Sequence, residues 1–234
     1  MIITIDGPSG AGKSTLGRML ARSLNLLYID TGAMYRAVAL AILNAKVSAQ
    51  DTAAVAAIAA NARVTLEGDP DSLQVLLDGR DVSDQIRNED VTHTSSVIST
   101  VPEVRRLLVE RQREMGARGG GVVLEGRDIG TVVFPHADIK FFLTAGPEAR
   151  AQRRYEENQT SRRDSTYEET LADINARDRR DSMRDDSPLA MAADAIVIDS
   201  TELSIEDVYE RMMEEIRARH LGDAATLRRG DAAT

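Results

Sequence analysis

The segment Gly7-Pro8-Ser9-Gly10-Ala11-Gly12-Lys13-Ser14 constrains this chain more than any other. It fits G-x-x-x-x-G-K-[ST] and follows the β-branched run Met1-Ile2-Ile3-Thr4-Ile5-Asp6, which reads as a buried strand. After it, Thr15–Leu26 carries Leu16, Met19, Leu20 and Leu24 at helical spacing. Strand, glycine turn and helix in that order make an anion cradle. Glycines let backbone N–H groups turn inward, and the helix points its positive end at the phosphates. Lys13 can reach the β- and γ-phosphates, and the Ser14 hydroxyl can ligand Mg²⁺. From this chain's composition the motif is expected by chance about 0.002 times. Only three Lys stand against 26 Arg, and one of the three is here. An ATP or GTP site follows, with Gly7 to Ser14 and Thr15 as its nucleotide-binding residues.

The guanine-reading pattern Asn/Thr-Lys-x-Asp is missing, since Lys46 follows Ala45 and Lys140 follows Ile139. That demotes a GTPase switch.

Further strand-like runs are Leu26–Ile29, Val122–Leu124, Ile139–Leu143 and Ala195–Ile198. Helical stretches are Ala33–Leu43, Glu103–Met115, Pro147–Asn158 and Ile205–Arg219. Their alternation predicts an α/β fold with a parallel sheet flanked by helices. From about 62 to 93 the rhythm changes. Arg63–Glu67, Leu73–Leu77 and Arg80–Val82 read as short antiparallel strands, punctuated by turns at Gly68–Asp71 and Asp78-Gly79. This is a small β insert. The stretch 220–234 repeats Gly-Asp-Ala-Ala-Thr and reads as a disordered tail, leaving 1–219 as a single unit.

Net charge is −9 over 234 residues, the wrong sign for a nucleic-acid or membrane-surface binder. Zero Cys excludes disulfides and thiolate metal sites, and the three His are widely separated. With no apolar run of about 18 residues and no signal-type N-terminus, a cytoplasmic protein is expected.

Three polar clusters remain. Asp30-Thr31-Gly32-Ala33-Met34-Tyr35-Arg36 follows the second strand, where Asp30 or Thr31 can cap a helix. Arg36 so near that helix start opposes the dipole unless an anion binds there. Glu125-Gly126-Arg127-Asp128-Ile129-Gly130-Thr131 also projects at the C-terminal edge of the sheet, where ligands of open α/β sheets sit. Between 150 and 184 lie nine Arg, against about four expected from the chain-wide frequency. Eight acidic residues share the segment, a balance that suits clamps on a small anion. Thr166-x-x-Glu169 can box the start of a helix running through Asp181. On that helix Arg177, Asp181 and Arg184 would share one face. Arg153, Arg154, Arg162 and Arg163 straddle the polar stretch Glu156–Thr160 and fit a flap that closes over a phosphoryl group. Ser96 and Arg105 carry little signal alone.

Together these pieces resemble the bacterial cytidylate kinase family of nucleoside monophosphate kinases. The likeness runs from Met1 to about Arg219. It rests on Ile5–Lys13, Asp30–Arg36, Gly126–Pro135, Arg177–Asp181 and Ala193–Thr201. The resemblance implies a P-loop kinase core, transfer of the ATP γ-phosphoryl group to CMP or dCMP, and Mg²⁺ held by Ser14 with the ATP phosphates. It further implies that Arg36, Arg127 and Arg184 grip the CMP phosphate and that Arg177 and Asp181 hold the ribose. Ser96, Arg105 and Asp128 then read cytosine, with Thr31 and Tyr35 lining the same pocket. The resemblance also implies a helical flap over about 153–168 that closes on ATP, with Lys13 and the flap arginines Arg153, Arg154 and Arg162 as the catalytic set. A monomer is expected, with ATP and CMP or dCMP as its partners. One departure is that the family often has Ser where Thr31 stands. The alternatives at this point are a P-loop kinase for UMP, AMP or a small metabolite, and a non-catalytic nucleotide-binding switch.

Overall fold

A computed structural model describes residues 1–160 and 165–230, the stretch 220–230 by its backbone alone. The first half of the chain runs β1 (Ile2–Asp6), α1 (Lys13–Leu24), β2 (Leu27–Asp30), α2 (Thr31–Asn44), α3 (Thr52–Asn61), β3 (Val64–Glu67), β4 (Gln74–Leu77), β5 (Arg80–Asp81) and α4 (Glu89–Ile98). It continues with α5 (Pro102–Gly116), β6 (Val122–Gly126), β7 (Ile139–Thr144), α6 (Pro147–Thr160), α7 (Tyr167–Met183), β8 (Ile196–Asp199) and α8 (Ile205–Gly230).

Five strands pair in parallel in the order β2-β6-β1-β7-β8. The pleat sorts alternate side chains to opposite faces. Val122 and Leu124 of β6 enter a core with Ile29, Met34, Val38, Val104 and Leu108. Val123, between them, joins Ile3, Ile5, Leu16, Leu20, Phe141 and Met212 on the other side. Both faces are therefore covered, which is why β1 and β6 read as mostly apolar runs without alternation.

The second sheet is antiparallel, β3-β4-β5, with Val64 opposite Leu77 and Leu76 opposite Asp81. Its buried residues Val64, Leu66, Val75 and Leu77 share the core of Met34 and Val38, so the insert has no separate core.

Two helices went unforeseen. The segment α3 is nearly all Ala, Val and Ile and lacks a polar stripe to reveal its period. Helix α4 lies where the insert was expected to run on, and it is rich in Ser and Thr, weak helix formers. The Asn88 side chain caps it by accepting from Val91 N at 2.8 Å, and Glu89 and Asp90 favour its positive end. A one-turn helix over Gln85–Arg87 precedes it, so the strands of the insert end at Asp81.

The last helix continues past Arg219 to Gly230. Ala224, Ala225, Leu227 and two Arg are strong helix formers, whereas the sequence reading expected a disordered tail from 220. Residues 231–234 lie outside the described residues. Among the described residues no helix is long and apolar enough to cross a membrane.

Candidate active site

The phosphate motif, Asp30–Arg36 and Glu125–Thr131 all follow strands at the C-terminal edge of the parallel sheet, and the arginine-rich segment reaches the same cavity from α6 and α7. The loop after β1 carries the phosphate motif. Gly7 there is fixed by close approach, since a Cβ on it would stand 2.1 Å from the Leu143 carbonyl oxygen. Gly12 caps α1 with φ of 90°, a left-handed backbone that frees the first N–H groups of the helix to face the loop's interior. Lys13 Nζ folds back to donate to the Pro8 carbonyl at 2.6 Å. Residues Ser9 to Thr15 line a cavity of about 650 Å³, within the size range of small-molecule sites. Gly7 and Pro8 are not among the lining residues.

Asp30 at the end of β2 holds two groups. Its carboxylate accepts from Ala33 N at 2.8 Å, capping α2, and from Arg36 Nη2 at 2.9 Å. Despite burial, the Arg36 guanidinium and the capping amide hold its pKa below the usual carboxylate value. The cation near the helix start thus has a partner, and Arg36 still lines the cavity with Thr31 and Tyr35.

At the end of β6 the chain makes a wide π-type turn over Ile129–Val133. Asp6, from the end of β1, pins this turn by accepting from Ile129 N at 2.9 Å and Gly130 N at 2.7 Å. Arg127 and Asp128 are thereby aimed into the cavity. Arg127 Nε donates to Asp181 of α7 at 2.8 Å. Asp128 forms an ion pair with Arg105 of α5, and Arg184 Nη2 stands 3.5 Å from its other oxygen. The Arg105 guanidinium lies over the Tyr35 ring at 5.9 Å from the centroid, a cation–π contact.

The capping box Thr166–Glu169 is present and starts α7. Arg177 and Asp181 lie one turn apart on it, 4.0 Å from Nε to carboxylate oxygen. Arg184 departs from the expected shared face. The helix ends at Met183, and Arg184 is extended, with ψ of 139°. It reaches the cavity as the first residue beyond the helix, its Nε held by the Ser187 carbonyl.

Of the flap arginines, Arg153 is bound to the loop after β8, through Ser200 Oγ at 3.1 Å and the Ser200 and Thr201 carbonyls. Arg154 is more open and pairs with Glu157 at 2.8 Å. Arg162 and Arg163 lie outside the described residues.

The cavity is strongly cationic although the chain is acidic overall. Lined by twice as many basic as acidic side chains, it is built for anions. Burial, with the nearby Arg127 and Arg177, pushes the Lys13 ammonium down to about 7. The same two effects, burial and Arg127, push Arg177 down to about 9. Arg177 Nε and Arg184 Nη2 are buried donors without a hydrogen-bond partner among the described residues. Bound polyanion would relieve both the repulsion and the unmet donors.

The cytidylate kinase family model matches residues 3–218, and that match decides the assignment. The chain belongs to the cytidylate kinase family. Relatives named cytidylate kinase from Geobacter sp. (strain M21) and Caldanaerobacter subterraneus subsp. tengcongensis are each 48% identical over 94% of this chain, spanning 94% and 96% of their own lengths. Among solved structures, an uncharacterized protein from Eubacterium ventriosum aligns with TM-score 0.53 and 12% identity, over 93% of this chain and 98% of that one. At that identity the likeness speaks for the fold alone.

This member of the family carries polar groups to which the sequence reading assigned no role of their own. Glu125 is buried at the end of β6, accepts from Tyr28 Oη, and lies beside Ser14. Burial and the Asp30 charge raise its pKa. Its signal was present, a carboxylate inside the apolar run Val122-Val123-Leu124-Glu125. Arg150, one of the nine arginines between 150 and 184, is 5% exposed. It bridges the Ser9 carbonyl at 3.0 Å to Asp178 of α7 at 2.6 Å. Only the fold brings those three together. Arg180 of α7 donates from Nε to Ser96 Oγ of α4 at 3.0 Å, again a contact no spacing reveals.

Proposed function

We propose that the chain transfers the γ-phosphoryl group of ATP to CMP or dCMP, giving ADP and CDP or dCDP. Membership of the cytidylate kinase family across residues 3–218 carries this reading. The convergence of Lys13, Arg36, Arg127, Arg177 and Arg184 on one cavity supports it. The setting it implies is a cytoplasmic monomer working on free nucleotides.

In this reading the ATP phosphates lie in the Gly7–Thr15 loop, against the N-terminus of α1 and the Lys13 ammonium. The CMP phosphate meets Arg36, Arg127 and Arg184. Arg177 and Asp181 offer the ribose a donor fork and an acceptor. Ser96, Arg105 and Asp128 supply donors and an acceptor to the cytosine edge, with Thr31 and Tyr35 as walls. The acceptor phosphate is already anionic, so no general base is needed. Rate comes from holding donor and acceptor in line and from neutralising charge on the shared oxygens. Lys13 supplies part of that charge and Arg154 from the open side more, while Arg153 and Arg162 complete the proposed catalytic set.

Among the described residues no group of three or more His, Cys, Asp or Glu could hold a metal alone. A Mg²⁺ ion would therefore share Ser14 with the nucleotide's phosphate oxygens. The donor set fits, because the Ser14 hydroxyl is next to the Glu125 carboxylate, with Asp30 close by. Bound there, the ion supplies charge neutralisation at the phosphates.

ADP release measured with CMP, dCMP, UMP and AMP in turn tests the reading. Fast turnover with CMP or dCMP and slow turnover with the others is expected. Preference for UMP or AMP, or ATP hydrolysis indifferent to any acceptor, would overturn it.

A further inference from the structure

We infer that Arg180 is a specificity-determining positioning residue, which sets the direction of the Ser96 hydrogen bond and so favours cytosine over uracil. The inference rests on the proposed role of Ser96 at the base.

Ser96 is 3% exposed and lines the cavity from α4. A serine hydroxyl has one proton to give and lone pairs to receive. Its oxygen here accepts from Arg180 Nε, and a guanidinium can only donate. The neighbouring Ser95 and Ser99 hydroxyls donate to helix carbonyls, those of Thr92 and Ser96, at 2.8 Å each. Ser96 Oγ makes no such bond among the described residues. With one lone pair engaged by a cation, one lone pair and the proton remain, and in this scheme the proton faces the cavity, toward an acceptor.

Cytosine and uracil differ in the polarity of this edge. Cytosine presents N3 as an acceptor and its 4-amino group as a donor. Uracil presents N3–H as a donor and O4 as an acceptor. A Ser96 fixed as donor and an Asp128 carboxylate fixed as acceptor between Arg105 and Arg184 match cytosine and oppose uracil twice. Without Arg180 the Ser96 hydroxyl rotates freely and can accept from uracil N3–H. Arg180 touches no substrate in this scheme and acts only through Ser96.

The test compares kcat/KM for CMP and UMP in the wild type, Arg180→Met, Arg180→Lys and Ser96→Ala. Arg180→Met, which keeps the apolar stem, should lower the CMP:UMP ratio about tenfold by losing CMP efficiency and gaining UMP efficiency. Arg180→Lys, still a donor only, should hold the ratio nearer to the wild type. In Ser96→Ala the further change Arg180→Met should leave the ratio where it is. Should Arg180→Met fail to fold, Arg180→Leu carries the same expectation. A general loss of activity with the ratio unchanged in Arg180→Met overturns the inference. If Ser96→Ala also leaves the ratio unchanged, the base-reading role of Ser96 fails first. If Ser96→Ala shifts the ratio and Arg180→Met does not, only the Arg180 inference fails.

Discussion

Lys13 concentrates the physics of the site. An ammonium buried among guanidiniums is uncomfortable until an anion arrives, and its pKa of about 7 reports that strain. Lys13→Met should lower kcat by about a thousandfold or more. The same variant should melt no lower than the wild type without nucleotide, because a poorly compensated buried charge is gone. A clear drop in melting temperature would contradict this. The pH consequence has a definite sign. Above pH 7 the free protein holds Lys13 mostly neutral, while bound phosphates favour the ammonium. ATP binding at pH 8 should therefore take up about one proton, and affinity should fall as pH rises above 7. Calorimetry in two buffers of different ionisation enthalpy measures this uptake, which should vanish in Lys13→Met. In the proposed arrangement Arg177 serves the acceptor side, so Arg177→Ala should raise the KM for CMP about tenfold or more and change that for ATP little. Wild-type CMP kinetics in that variant would remove the assigned sugar site.

At the scale of elements, the turn after β6 depends on one carboxylate from β1. Burial lifts the pKa of Asp6 to about 6, against the two backbone amides that favour its charged form. An asparagine at position 6 has one acceptor oxygen and cannot accept twice from Ile129 and Gly130 in the same way. Asp6→Asn should cost about 1–3 kcal/mol in a urea titration, the range for orphaning a buried amide. It should also raise the KM for CMP, because the turn aims Arg127 and Asp128. Unchanged stability would show that the two amides find other acceptors. Helix α7 plays a comparable part. Its capping box fixes where it starts, and Arg150 ties Asp178 to the phosphate loop, so Arg177, Arg180 and Asp181 are held relative to Lys13.

For the whole molecule, the parallel sheet was legible because apolar runs of four to six residues end in glycine or aspartate, and the phosphate loop because its pattern is rare. The insert's strands were legible through alternation and the Asp78-Gly79 turn. What escaped was what tertiary packing decides. Helix α4 is held by an asparagine cap and a buried face rather than by propensity. Glu125, Arg150 and Arg180 matter through partners 97, 141 and 84 residues away in sequence. Arg184 lines the cavity from beyond the helix end and not from the helix face expected of it, since Met183 gives no stop signal. If one cavity holds two nucleotides with their phosphates facing, a bisubstrate compound, adenosine and cytidine joined by a polyphosphate, should occupy both places at once. Steady-state inhibition should then be competitive against ATP and against CMP by the same compound; competition against only one of them would show that the two nucleotides do not share the cavity.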